Sequence, residues 1–286
     1  MPSQREIRRR IGSVKNIKQI TRAMQFVAAS KLKRAQDATL QTRPYTEALD
    51  EVLADLAAVL GAEEHPLLAR REGGTRALVV ITTDRGLAGS LNTNLIRFAA
   101  RQITEHQGDL TVITVGRKGT GAMRRSRVPI EATFEGFGDR PAFSEVTALS
   151  RLLTDDYLSG KLNQIDIVFP RFISTLAQRP EIRRLLPVPP TETAEVAGHI
   201  PGSQFIFEPN AGEVLRQLLP RYVATRVYQA VLEATASEQS ARMVAMKNAT
   251  ENAQELIEDL TLSYNKVRQA NITREMIEIA TGANAS

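Results

Sequence analysis

The chain has 286 residues, 42% of them hydrophobic and 24% charged, with a net charge of +5 and no cysteine. The missing cysteine excludes disulfides, thiol nucleophiles and thiolate metal sites, and no run of about 18 apolar residues is present to cross a membrane as a helix. Aromatics make up only 5% and tryptophan is absent; alanine and long aliphatic or charged side chains dominate, a composition suited to long helices.

A long first helix is expected from Ser3 to about Leu60, with Ser3 as N-cap and Glu6 completing a capping box. Ile7, Ile11, Val14, Ile17, Ile20, Met24, Val27 and Leu32 recur at spacings of three and four, which puts them on one stripe. Only Gly12 interrupts the pattern before Pro44, where a bend is expected. Such a helix would be ~80 Å long at 1.5 Å per residue, too long to stand without a partner. Arg5, Arg8, Arg9, Arg10, Lys15, Lys18, Arg22, Lys31, Lys33 and Arg34 meet only one acid, Glu6, before residue 35. That block suits an acidic partner; a solvated helix face is the plainer reading. The basic start carries no apolar core of a secretory signal, and the helical pattern runs on past the length of a presequence.

From about Gly74 to Gln204 the pattern changes. Ala77–Thr82 is a short apolar run ending in Thr83-Asp84-Arg85-Gly86, as a buried parallel strand entering a turn would read. A helix from Leu91 to about Gln107, a strand Leu110–Val115, a strand Pro129–Phe134, a helix Ser144–Leu158 and a strand Ile165–Phe169 follow. Glu181–Val188 would return antiparallel after Arg179-Pro180. Alternating strands and helices imply an open α/β sheet with helices on both faces and right-handed crossovers.

A second long helix, ~100 Å, is expected from about Asn210 to Ala280, with Pro220 kinking or restarting it. Ala253, Ile257, Leu260, Tyr264 and Val267 keep the coiled-coil spacing, and Thr250, Met246, Met243 and Ala236 extend it backwards. The resulting architecture is an antiparallel coiled coil of the terminal helices, 1–60 with 209–286, and an inserted Rossmann-like open α/β sheet domain at 74–205. Small residues at Val27-Ala28-Ala29-Ser30 and at Ala249 and Ala253 suit a close helix pair.

No catalytic set converges in this sequence. Asp84–Asn92 is glycine-rich and lies between a strand and a helix, where phosphates bind, but it lacks the Lys-Ser/Thr of a P-loop and the three-glycine dinucleotide spacing. Gly116-Arg117-Lys118-Gly119-Thr120-Gly121 is basic and lies at a strand end, with no matching acidic ribose reader. A tight turn that needs glycine explains both. His65, His106 and His199 are far apart and read as surface or loop residues; Asp155-Asp156 reads as the exposed end of a helix. No catalytic residue, metal or cofactor is expected. A nucleotide-binding enzyme built on the glycine turns, or a nucleic-acid binder built on the basic helix, remain as rivals. The second lacks aromatic residues for stacking in that helix.

Both ends of the chain carry a specific likeness. Arg5-Glu6-Ile7-Arg8, Ser13 through Met24, Val27-Ala28-Ala29-Ser30-Lys31-Leu32, Ala236 through Thr250 and Ile272 through Ala283 resemble the F-type ATP synthase gamma subunits. Thr83-Asp84-Arg85-Gly86-Leu87-Ala88-Gly89 resembles them in the middle, with a looser match from about Glu105 to Gly202. The resemblance implies a non-catalytic rotor shaft inside a ring of three alpha and three beta subunits. Its foot would rest on the c-ring beside the epsilon subunit, coupling proton flow to ATP synthesis at the cytoplasmic face of a bacterial membrane. It places Arg242, Gln269, Thr273 and Met24 against catch loops of the beta subunits, near Lys31 and Arg34. It places Phe205, Phe207 and Glu208 near the foot. The end of the chain, Ala280–Ser286, has no charged side chain, so it suits an apolar bearing in which no ion pairs break on turning.

Overall fold

The computed structural model describes residues 3–60, 65–71, 73–189 and 207–283. Helix α1 (Gln4–Leu60) opens at Ser3, whose Oγ accepts the Glu6 N–H at 3.3 Å, while the Glu6 carboxylate accepts from Arg10 at 3.2 Å. Pro44 lies inside α1 without ending it: Thr46, Leu49, Leu53 and Leu56, all beyond the proline, are buried and hold the helix on course. Helix α5 (Ala211–Ala283) likewise runs through Pro220, so of the two expected outcomes, a kink or a restart, the restart does not occur. Leu215 and Leu219 before the proline and Tyr222 and Val223 after it belong to one core, so packing on both sides outweighs the lost backbone hydrogen bond.

Two compact units share these helices. Residues 1–28 and 242–286 form the first, and residues 29–241 the second. The second holds a five-stranded sheet of β1 (Thr75–Ile81), β2 (Leu110–Val115), β3 (Ile130–Phe134), β4 (Leu162–Phe172) and β5 (Gln178–Leu186). Its order is β3-β2-β1-β4-β5, with four parallel strands and β5 antiparallel to β4. Three helices connect the strands: α2 (Leu91–Glu105), α3 (Arg117–Arg125) and α4 (Phe143–Leu158).

Alternation along β1 divides the core into two. Leu78 and Val80 point to one face and pack with Leu95 and Ala99 of α2 and Met123 of α3. Ala77, Val79 and Ile81 point to the other face, as a period of two requires. There they meet Leu149 and Leu153 of α4, Leu53 and Leu56 of α1, and Val223 and Val227 of α5. Both faces are covered, as expected. The lower halves of the terminal helices supply much of one cover, so the sheet domain owns them as core rather than merely interrupting them.

Helix α3 replaces the loop expected at Gly116–Gly121. Its glycines are a packing requirement. Gly116, at φ +90°, has the Thr82 carbonyl oxygen 2.2 Å from where a Cβ would sit, and a Cβ on Gly119 would lie 2.8 Å from the Thr82 side chain. Thr82 Oγ1 in turn accepts the Gly119 N–H at 2.8 Å.

Candidate functional site

The strand order reverses between β1 and β4, where an open α/β sheet offers its ligand crevice beyond the strand C-termini. That crevice is already occupied by the chain itself. Its lining combines Thr82, Asp84, Asn92 and Gly116 with Val231 and Thr235 of α5, and about 30 Å³ stays open, room for one or two waters. The first amide donors of α3 are taken: besides the Arg117 N–H, the Lys118 N–H reaches the Thr83 carbonyl at 3.1 Å and the Gly119 N–H the Thr82 hydroxyl at 2.8 Å. Asp84 accepts the Arg117 N–H at the start of α3 at 3.0 Å and the Gly136 N–H at 2.9 Å. Asn92 binds Thr83 twice, at 3.2 and 2.8 Å. A carboxylate thus sits at the helix N-terminus that would attract an anion. The turn expected of Asp84–Asn92 is found, whereas Gly116–Gly121 caps and opens helix α3 instead of forming a turn. Asp155 is exposed as expected, and Asp156 pairs with Lys161 at 3.1 Å. No group of acids and histidines with metal-binding geometry occurs among the described residues.

The second unit also ties the helices down with polar contacts that periodicity did not reveal. Asp139 accepts from Lys31 of α1 at 2.5 Å and from Gln239 of α5 at 3.1 Å. Ser237 and Ser240, both fully buried, donate to the Pro170 and Thr175 carbonyls at 2.7 Å, the hairpin side of β4 and β5. Deeper down, Arg226 pairs with Asp50 at 2.5 Å, lies over the Tyr222 ring and donates to its hydroxyl at 2.9 Å. Burial pushes the Asp50 carboxyl and the Tyr222 phenol above their ordinary ranges.

The first unit is an antiparallel pair of helices. On α5 the partly and fully buried positions include Met243, Met246, Thr250, Ala253, Ile257, Leu260, Tyr264, Val267 and Asn271, an unbroken alternation of three and four that agrees with the expected seam. On α1 the seam departs from expectation. Ile7, Ile11 and Val14 lie on it, but it continues through Lys18, Thr21, Gln25 and Ala28. Ile17, Ile20 and Val27, each one residue earlier, are 50%, 59% and 53% exposed. Polar rungs explain the shift: Thr21 meets Thr250 at 2.7 Å, Lys18 donates to Gln254 at 2.6 Å and Gln4 to Tyr264 at 3.1 Å. These pairs fix the register, as polar seam residues do.

The unit therefore wears several of its large apolar side chains outside. Phe26 joins Ile17, Ile20 and Val27 on α1, and Leu256 and Leu262 are exposed on α5. Beyond Asn271, among the described residues, α5 shows exposed Ile272, Met276, Ile277 and Ile279, Ile279 by 72%. Charge is also sorted. Arg5, Arg8, Arg9, Arg10, Lys15 and Arg22 are exposed on α1, while Glu251, Glu255, Glu258 and Asp259 are exposed on the facing length of α5.

The residues singled out by resemblance do not form one cluster. Gln269 and Thr273 are exposed one turn apart, with the Thr273 hydroxyl donating to the Gln269 carbonyl at 2.9 Å. Arg242 is buried and lies ~40 Å down the same helix. Met24 is half-buried beside the seam. In the other unit Phe207 is half-buried against the main core, and Glu208 is exposed. Phe205 and His199 lie outside the described residues, as do the last three positions of the uncharged end.

A family model described as ATP synthase matches residues 3–285. The chain is similar from end to end to a protein of Roseiflexus castenholzii named ATP synthase gamma chain, 49% identical over 292 residues, with 100% of this chain and 99% of the relative covered. A protein of Chloroflexus aurantiacus with the same name is 48% identical over 291 residues, with 100% and 99% covered. Among solved structures, a chain of the Euglena gracilis mitochondrial ATP synthase OSCP/F1/c-ring assembly has the same fold, with a TM-score of 0.68, 23% identity, and 99% of this chain and 94% of that chain covered.

Proposed function

The chain belongs to the family of ATP synthase gamma chains, and from that premise we propose that it is a non-catalytic central rotor shaft, turning inside a ring of three alpha and three beta subunits. The observation that carries the proposal is the bare two-helix rod. Exposed Ile17, Ile20, Phe26 and Val27 on one helix and the α5 stretch with Ile272, Met276, Ile277 and Ile279 make an apolar surface larger than a free-standing pair of helices tolerates. A surrounding sleeve covers them. With the crevice of the sheet filled by Val231 and Thr235, no room is left for a nucleotide, so chemistry belongs to the ring and coupling to this chain.

A pair of helices is not round. At one level of the rod a wall meets the basic, apolar side of α1; a wall on the opposite side meets Glu251, Glu255 and Glu258 of α5. Contacts that differ among three otherwise equivalent sites shift their conformational equilibria differently, which is the requirement for driving them in sequence. Exposed charge contacts are screened and re-formable, so they bias an orientation without trapping it. Gln269, Thr273, Met24 and Arg242 are the proposed contacts to the beta subunits. Asp139, Ser237 and Ser240 hold the helices in the sheet domain, so that torque on that domain reaches them. The sheet domain, with Phe207 and Glu208, is the proposed foot beside the epsilon subunit and the c-ring. The chain would then lie peripherally at the cytoplasmic face of the membrane; among the described residues no helix is long and apolar enough to cross one.

Mixing the purified chain with alpha and beta subunits tests the proposal. One copy per hexamer and a rise in ATPase turnover are expected. A hexamer that excludes the chain, or one whose turnover ignores it, would sink the reading.

A further inference from the structure

The two edges of the sheet are treated differently by the sequence. Edge strand β5 carries Arg179, Pro180, Glu181, Arg183 and Arg184, the charges and proline that discourage a further strand from pairing. Edge strand β3 reads Ile-Glu-Ala-Thr-Phe, and among the described residues it pairs only with β2. Its single charge, Glu131, is neutralised by Lys161. A concavity of about 490 Å³ is bordered by consecutive β3 residues, Ile130 through Thr133, together with Arg124, Arg127 and Val128. Side chains of both faces border it, as the outer edge of a strand allows and a covered face does not.

The rim of that concavity is basic, and one of its arginines is held at a conformational cost. Helix α3 closes with Arg127 N–H on the Arg124 carbonyl and Val128 N–H on the Met123 carbonyl, both at 3.1 Å. This is the Schellman pattern, whose left-handed residue is ordinarily glycine. Here it is Arg127, at φ +55°. Arg124 and Arg125 are explained by the negative end of the helix. Arg127 lies beyond it, exposed, in a backbone state that favours glycine. A strained backbone that places an arginine beside a strand whose outer edge is open among the described residues points to use of that side chain.

We propose that the outer edge of β3 receives an extended acidic segment of a partner protein, added as a sixth strand with its carboxylates on Arg124 and Arg127. Main-chain pairing gives such a site affinity, and the arginines give it sign and register. A second copy of this chain is the wrong occupant, because both concavities would present arginines to each other.

The full-length chain is sufficient for the test, so the outcome does not depend on the rotary reading. The probe is a synthetic peptide of about eight residues alternating glutamate with valine or threonine, long enough to cover the strand. Its expected effect is protection of the 130–134 amides from hydrogen exchange, weakening as salt rises. An analogue of equal charge with prolines at alternate positions should bind about tenfold or more weakly, since it cannot pair. Arg127→Gly should also bind about tenfold more weakly, with a Tm equal to or above the wild type because the strain is gone. That pattern separates a lost ligand contact from a damaged fold. Equal binding of the proline analogue would reduce the site to charge attraction and overturn the proposal. So would unprotected β3 amides, full binding by Arg127→Gly, or concentration-dependent self-association through β3.

Discussion

Replacing Gly116 with alanine tests whether the glycines beside the crevice serve packing or a ligand. The added Cβ would stand 2.2 Å from the Thr82 carbonyl oxygen and 2.7 Å from its carbon. Both are backbone atoms of the segment leaving β1, whose N–H is bonded to the Val115 carbonyl at 2.8 Å, so neither side yields easily. A backbone at φ +90° and ψ +139° costs an alanine about 1–3 kcal/mol, and forced overpacking adds about 1–3 kcal/mol. The expected loss in unfolding free energy is therefore about 2–6 kcal/mol. Gly119→Ala is different, because its Cβ would meet only the Thr82 side chain, at 2.8 Å. Thr82→Ala removes that obstacle, along with the acceptor of the Gly119 N–H. Gly119→Ala and Thr82→Ala should then couple by about 1–2 kcal/mol, whereas Gly116→Ala keeps most of its cost in the Thr82→Ala background, because the 2.2 Å backbone clash remains when the Thr82 Oγ1 contact at 2.9 Å is removed. Urea unfolding of the three single and two double variants, followed by circular dichroism, measures all of this. Wild-type stability in Gly116→Ala, with a change in nucleotide binding instead, would refute the packing argument.

Gly12 has open space where a Cβ would sit and lies inside α1, so Gly12→Ala should stabilise the rod by about 0.5–1 kcal/mol; a lower Tm would contradict that. Thr21→Val and Thr250→Val should each lose about 1 kcal/mol, and the double variant should be less than additive, because the 2.7 Å contact joins them. Additivity in thermal unfolding would mean the rung is not formed. His65 accepts the Leu67 N–H through Nδ1 at 3.1 Å, and burial, with Arg216 nearby, lowers its pKa below the ordinary 6.5. The unfolded chain therefore takes up this proton first. The contribution is complete above about pH 6.5 and is lost as pH falls through the lowered folded value. His65→Gln should remove that part of the pH dependence of Tm; an unchanged pH profile would assign the effect to other groups.

The sheet was readable because its strands alternate or run apolar between clear breaks, and Leu110–Val115 was expected and found at the same residues. Helix α3 was not. Three glycines in the six positions Gly116–Gly121 look like a turn in any local reading, and the close approach of Thr82, 37 residues before Gly119, is visible only in the fold. Pro44 and Pro220 both lie inside continuous helices, since each penalty is local and each compensation lies in the packed core. Arg242 could not be placed from sequence, because nothing local distinguishes a buried arginine from a solvated one.

The seam of α1 carries the larger lesson. Periodicity finds a stripe but does not say which surface it faces. Ile17, Ile20, Met24 and Val27 keep the spacing, and so do Lys18, Thr21, Gln25 and Ala28 one residue later. Hydrophobicity favours the first set; the helix pair uses the second. Small and polar residues at Thr21, Ala28, Thr250 and Ala253 let the backbones come close and set one register through hydrogen bonds. The larger side chains are left for the outside. In an isolated globular protein that choice would waste apolar area. In a shaft it divides two tasks that must not interfere: the inner stripe keeps the two helices in one register under load, and the outer stripe meets surroundings that change with every step. A contact that must be broken and remade cannot also be the contact that holds the pair together, and the one-residue offset between the two stripes of α1 keeps those contacts apart.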